Sequence, residues 1–157
     1  LTVVIIKNDL LDRVPDTIGA YLRYDIHAKQ RSLYNTPPTF SLYMTKLVLE
    51  WIEETGLETI TARNASQAQL LYEAIDQSTV FHNHVAVKDR SRMNIPFSTG
   101  SETEDAAFLA FAKRHNLINL AGHRSIGGMR ASLYNAMPTE GVEALIHIMH
   151  RFEQGER

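Results

Sequence analysis

The chain has 157 residues, of which 44% are hydrophobic and 22% charged, with a formal net charge of −2 and no cysteine. That length suits one domain, or a domain with part of another, and can bury a real core. The balanced charge without a basic run gives no sign of a nucleic-acid footprint or a polybasic membrane anchor, and the missing cysteine excludes disulfides, thiolate nucleophiles and Cys-based metal sites.

No apolar stretch is long enough to span a bilayer, and no basic segment leads into a long apolar one as in a signal peptide. A cytoplasmic location, with no nucleic-acid or membrane partner, is the expectation. Leu1-Thr2-Val3-Val4-Ile5-Ile6 is a β-branched apolar run, the pattern of a strand buried on both faces. Few partners for it lie nearby in the sequence, so the chain is expected to begin inside an element and to be a fragment. Residues 9–19 read as a short helix or turn broken by Pro15. Residues 21–32 have no clean period and read as irregular, partly extended chain. Asn35-Thr36-Pro37-Pro38 cannot be helix interior, because proline lacks the donor and biases the residue before it away from the helical region.

Phe40, Tyr43, Met44, Leu47, Val48, Trp51 and Ile52 then recur on one face of a helix of about four turns, with Gly56 as its stop. This helix is expected to carry the chain between two domains, 1–56 and 57–157, with the boundary near Gly56. Residues 57–75 form a second helix with Ile60, Ala68, Leu71, Tyr72 and Ile75 on its apolar side. Residues 81–87 read as a strand. Ser91, Met93, Ile95 and Phe97 alternate with Arg92, Asn94 and Pro96, a half-buried strand near a sheet edge because of the proline. Ser101 and Glu104 fit a capping box opening a helix that buries Ala107, Phe108, Phe111 and Ala112. Residues 117–121 and 129–134 read as two further strands. Thr139 is the expected N-cap of a last helix that aligns Val142, Leu145, Ile146, Met149 and Phe152. From residue 57 the order is helix, strand, strand, helix, strand, strand, helix. It predicts an α/β protein whose smaller domain is of α+β type, two layers with helices on a mostly antiparallel sheet.

Chemistry concentrates between the last two strands, in Gly122-His123-Arg124-Ser125-Ile126-Gly127-Gly128-Met129-Arg130. Along a straight strand Arg124 and Arg130 would lie about 20 Å apart. The Gly127-Gly128 pair accepts positive φ without steric cost, and a bend there lets both guanidinium groups reach one space. Arginine suits bidentate recognition of carboxylate or phosphate, and His123 adds a donor or a proton. The competing explanation is a pair of solvated surface arginines. For a metal, His82 with His84 on a strand, or His147 with His150 on a helix, lack a third ligand at a metal-site spacing, so no metal is expected. A serine hydrolase is equally unsupported: no GxSxG elbow is present, and nothing in the pattern supplies a base for Ser125.

The string GHRSIGGMRASLYNAMP resembles the C-terminal signature of the phosphoserine aminotransferase family, pyridoxal-phosphate (PLP) enzymes of fold-type I, class V. Tyr34-Asn35-Thr36-Pro37-Pro38-Thr39-Phe40 resembles a second signature of that family, and Arg90-Ser91-Arg92-Met93-Asn94-Ile95-Pro96-Phe97 a third. They occur in the family order with similar gaps. The likeness runs over almost the whole chain and covers the C-terminal part of the family's chain, less than half of it. The resemblance implies that residues 1–56 are the end of the large PLP-binding domain plus a connecting helix, and 57–157 the small C-terminal domain. It implies that His123 and Arg124 bind the substrate's phosphate and Arg130 its α-carboxylate. Asn35 and Thr36 would reach the phosphate of PLP bound by the other subunit of a homodimer with shared active sites. The substrates implied are phosphoserine, 3-phosphohydroxypyruvate, glutamate and 2-oxoglutarate, in serine biosynthesis and, in many bacteria, a similar step of pyridoxine biosynthesis. The family's cofactor-bearing lysine lies upstream of a strand like residues 1–6. Lys7, Lys29, Lys46, Lys88 and Lys113 stand outside that motif, so no catalytic residue is assigned here. Two alternatives remain: another class V transaminase or desulfurase relative acting on a different amino acid, or an α/β module that binds an anion without chemistry. The paired His123-Arg124 favours a phosphorylated substrate.

Overall fold

The computed structural model describes residues 1–11 and 13–157. The chain divides into two compact units, Leu1–Thr55 and Gly56–Arg157. In the first unit a 3-10 turn at Asn8–Arg13 and another at Ala20–Leu22 precede helix α1 (Tyr24–Lys29) and the long helix α2 (Thr39–Thr55). Two expectations change here. Residues 1–6 form no strand; Ile5 is 96% exposed. A strand is held by its neighbours' hydrogen bonds, and no strand among the described residues pairs with this run. The segment expected to be irregular and partly extended is instead largely helical. Arg23 grips Asp25 through two hydrogen bonds of 2.9 and 3.0 Å, Lys29 approaches Asp25 one turn on, and the Arg23 guanidinium draws the Asp25 carboxyl below its usual range. Helix α2 follows its predicted span, but its apolar face is open: Phe40 is 76% exposed, and Tyr43, Met44, Leu47 and Val48 are exposed too.

The second unit runs α3 (Leu57–Gln77), β1 (Asn94–Phe97), α4 (Glu102–Arg114), β2 (Met129–Ser132) and α5 (Thr139–Glu153). Gly56 takes φ +85° immediately before α3, a conformation that costs glycine no side-chain clash. The two strands pair antiparallel with Ile95 opposite Ala131 and Phe97 opposite Met129. Those four face the core, while Asn94, Pro96, Arg130 and Ser132 alternate to the outer face. Helices α3, α4 and α5 close over the inner face with Ala68, Leu71, Ile75, Phe108, Ala112, Val142, Leu145 and Met149, giving the two-layer arrangement expected. Phe81, Phe97, Phe108 and Phe152 meet edge-to-face or tilted at its centre, with ring centroids 4.8–6.2 Å apart.

Two expected strands shrink to single bridges. Residues 81–87 contribute only His82, paired with Ser98 through hydrogen bonds of 2.8 and 3.0 Å. Next along, the Asn83 amide donates to the Pro96 carbonyl at 2.5 Å while its oxygen accepts from Val85 N at 2.7 Å. A side chain has taken the place of the ladder, as short amides do. Residues 117–121 contribute only Ala121, bridged to Met129. Asn119 sits at φ +62°, a left-handed position that breaks the extended run, and Asn116, at φ +63°, takes the left-handed position just past the His115 C-cap of α4.

The caps shift by small amounts. Ser101 does cap α4, accepting from Glu104 N, but its own N–H goes to Thr99 Oγ1 rather than to a reciprocal Glu104 carboxylate. Thr139 is the first residue of α5, with Pro138 at the cap position; its hydroxyl instead accepts from Gln67 at 3.3 Å. Ala107 is half-buried where burial was expected, Ile146 on the aligned face of α5 is half-buried, and Ile148 joins the core.

Candidate active-site loop

Gly122 to Gly128 forms a closed loop leading into β2. Its base is zipped by Gly122 N to Gly128 O at 2.9 Å and Arg130 N to Leu120 O at 2.7 Å. Ile126 N and Gly127 N both donate to His123 O at 2.9 Å, which folds residues 123–127 into a tight turn. Gly127 and Gly128 take φ +76° and +64°, so the bend predicted at the pair is present. A third glycine, which the sequence did not single out, constrains the loop more tightly. A Cβ on Gly122 would meet Gly127 O at 2.2 Å and Gly128 O at 3.0 Å. Both are backbone atoms, which cannot swing aside as a flexible side chain would. Gly122→Ala is therefore expected to open the loop and cost about 2 kcal/mol of stability, within the usual range for a steric core or backbone clash. Thermal unfolding of the variant checks this; an unchanged midpoint would show that the loop is slack.

His123, Arg124 and Arg130 are all exposed, and neither arginine forms an ion pair among the described residues. Three other arginines of this unit behave otherwise. Arg90 holds Asp76 through two hydrogen bonds of 2.6 and 2.7 Å, Arg151 holds Glu156, and Arg157 approaches Glu104 at 3.3 Å. Two cations kept clear of carboxylates on this loop and strand are available to an external anion. Arg130 projects from the outer face of β2 and lines a cleft of about 570 Å³ with Leu117, Leu120, Tyr134 and Leu145. His123 and Arg124 sit on the turn beyond that cleft's lining. The imidazole is not loose: its Nδ1 lies 2.7 Å from Ser125 Oγ and 3.3 Å from Ser125 N.

The tail of the same sequence string is structural. Arg63 donates to Asn135 O at 2.6 Å and Asn64 to Asn135 Oδ1 at 2.8 Å. Gln67, only 1% exposed, donates to Met137 O at 2.8 Å. Together they tie the segment after β2 to α3 and so fix the strand that carries Arg130. The Arg90 segment is structural as well. The Arg90 guanidinium lies 4.5 Å from the Tyr72 ring centroid, Tyr72 donates to Ser91 O at 2.9 Å, and the hydrogen bonds from Arg90 hold the Asp76 carboxyl below its usual range. Asn35 and Thr36 belong to the first unit, exposed in the turn before α2, and neither side chain makes a hydrogen bond among the described residues. Of the histidines, His84 meets Ser98 Oγ at 3.1 Å and His150 meets Glu153 at 3.3 Å. Among the described residues no group of three or more His, Cys, Asp or Glu is placed to hold a metal ion, and no helix is long and apolar enough to cross a membrane.

Residues 1–145 match the family described as aminotransferase class-V. The chain belongs to that family. Among class-V aminotransferases it is 49% identical, over all of its length, to a phosphoserine aminotransferase of Lactiplantibacillus plantarum, covering 44% of that protein. It is 50% identical over 98% of its length to one of Nitrosomonas europaea, covering 42%. The chain thus spans less than half the length of these curated relatives. The fold agrees. A phosphoserine aminotransferase structure from Bacillus circulans subsp. alkalophilus superimposes with a TM-score of 0.90 at 44% identity, over 95% of this chain and 42% of that one. A PLP-bound phosphoserine aminotransferase from Trichomonas vaginalis gives 0.87 at 40% identity, over 92% and 42%. The α/β class-V aminotransferase fold expected from the signatures is the fold observed.

Proposed function

We propose that this chain is the C-terminal, substrate-gripping part of a PLP-dependent phosphoserine aminotransferase. The whole enzyme transfers an amino group reversibly between glutamate and 3-phosphohydroxypyruvate, giving O-phospho-L-serine and 2-oxoglutarate. The observation that carries this reading is the glycine-built loop, which keeps Arg124 and Arg130 free of carboxylates and backs one of them with His123. High identity to proteins named phosphoserine aminotransferase supports the same choice over another class-V transaminase, a desulfurase or a non-catalytic module.

In this reading the substrate presents two anions on either side of its amine. His123 and Arg124 take the phosphate and Arg130 the α-carboxylate, the bidentate guanidinium matching two oxygens at once. Anchoring both ends fixes the Cα–H bond in direction, so proton removal needs no further search of orientations. Arg130 acts from a cleft with leucine walls, where a partly desolvated charge pair is stronger than in bulk water. Asn35 and Thr36 are suited to the cofactor's phosphate in the partner subunit: short donors, held by the following Pro37-Pro38 and not committed to other groups. PLP, when bound, supplies the electron sink for the amino-transfer chemistry. The lysine that anchors it is assigned to a region outside these 157 residues. A homodimer with shared sites, a cytoplasmic location and a role in serine and pyridoxine biosynthesis complete the proposal.

The full-length enzyme is expected to turn over O-phosphoserine far faster than serine. The 157-residue chain alone, treated with PLP and borohydride, is expected to label no single defined lysine. Equal rates on the two amino acids, or stoichiometric labelling of one lysine by peptide mass mapping, would refute the respective claim.

A further inference from the structure

Ser125 contacts one ring nitrogen of His123 twice, by its hydroxyl at 2.7 Å and by its backbone N–H at 3.3 Å. A backbone N–H can only donate, so Nδ1 is an acceptor. A neutral imidazole that accepts at Nδ1 carries its proton on Nε2, and the Ser125 hydroxyl then donates to the same lone pair. Ser125 is held in place for this, because the N–H groups of both residues that follow it bond back to the His123 carbonyl. We propose that Ser125 is a positioning residue that fixes the tautomer and aim of His123, so that Nε2–H is offered as a donor to the anion gripped by Arg124. The reverse tautomer would put a lone pair on Nε2 and repel the same oxygen. Arginine supplies charge in either case; the Ser125 hydroxyl and N–H together hold the neutral imidazole in the form that assists it. This inference rests on the reading of His123 as a phosphate ligand.

The experiment uses the 15N-labelled full-length enzyme, imidazole 1H–15N correlation spectra to identify the tautomer, and inorganic phosphate as the titrated probe. His123 is expected as the Nε2–H tautomer. Ser125→Ala keeps the backbone N–H but loses the shorter hydroxyl contact, so it should raise the share of the Nδ1–H tautomer without abolishing the Nε2–H form, and bind phosphate about fivefold more weakly, the effect of one net hydrogen bond. Ser125→Thr, which keeps the hydroxyl, should restore both. In a His123→Ala background Ser125→Ala should have no further effect on phosphate affinity, the sign of action through the histidine. An Nδ1–H tautomer in the parent chain, tautomers unmoved by Ser125→Ala, or the same fivefold loss without His123 would each overturn the proposal. Phosphate affinity unaltered by His123→Ala would instead refute the phosphate-ligand reading, and the tautomer spectra would still decide the role of Ser125.

Discussion

Arg124→Ala in the full-length enzyme is expected to lower kcat/KM for O-phosphoserine about 100-fold and to leave that for unphosphorylated serine within about twofold. A guanidinium on a phosphate makes two charge-assisted hydrogen bonds, each worth about 1.5 kcal/mol, and about 3 kcal/mol is a factor of about 100. Arg124 is exposed on a loop closed by its own backbone, so its loss removes a ligand contact without disturbing the core. Arg130→Ala should instead penalise both amino acids by a similar factor, because both carry the α-carboxylate. Arg124→Lys should recover only part of the loss, since an ammonium cannot reproduce the planar fork. Steady-state kinetics of the three variants on the two substrates separate the roles. If Arg124→Ala weakens serine and phosphoserine equally, the division between phosphate and carboxylate is wrong.

Phe108→Ala is expected to destabilise the second unit by about 4 kcal/mol, as deletion of a fully buried aromatic ring does. Phe108 is 0% exposed, and its ring lies 4.8 Å from Phe81, 5.2 Å from Phe152 and 6.2 Å from Phe97. It joins α4 to α5, to the segment just after α3 and to β1, so its removal leaves a cavity bordered by three other rings. Against a total stability of about 5–15 kcal/mol for an ordinary domain, that is a large fraction. Urea unfolding followed by far-UV circular dichroism measures it. The lone tryptophan, Trp51, lies on α2 in the first unit and would be a poor reporter. A loss under about 1 kcal/mol would mean that the aromatic cluster is loosely packed.

The sequence alone determined the helices of the second unit and the glycine bend, and it nominated the cations of the loop as candidate site residues. A helix hydrogen-bonds within itself, so its period, its Ser101 cap and its Gly56 boundary are written in adjacent residues. The loop motif is equally local: two glycines with positive φ and cationic side chains at fixed spacing. Tertiary structure decided the strands, because a strand exists only where another segment meets it in register. Residues 1–6 carry a strand's composition and form none, while residues 81–87 and 117–121 keep one bridge each. The deciding groups there were the Asn83 side chain and two left-handed asparagines, which no apolar alternation displays. Only the folded loop showed that Gly122 must lack a Cβ, and that Ser125 holds His123. Those are contacts between atoms brought together by the turn, at distances that residue spacing along the chain does not encode.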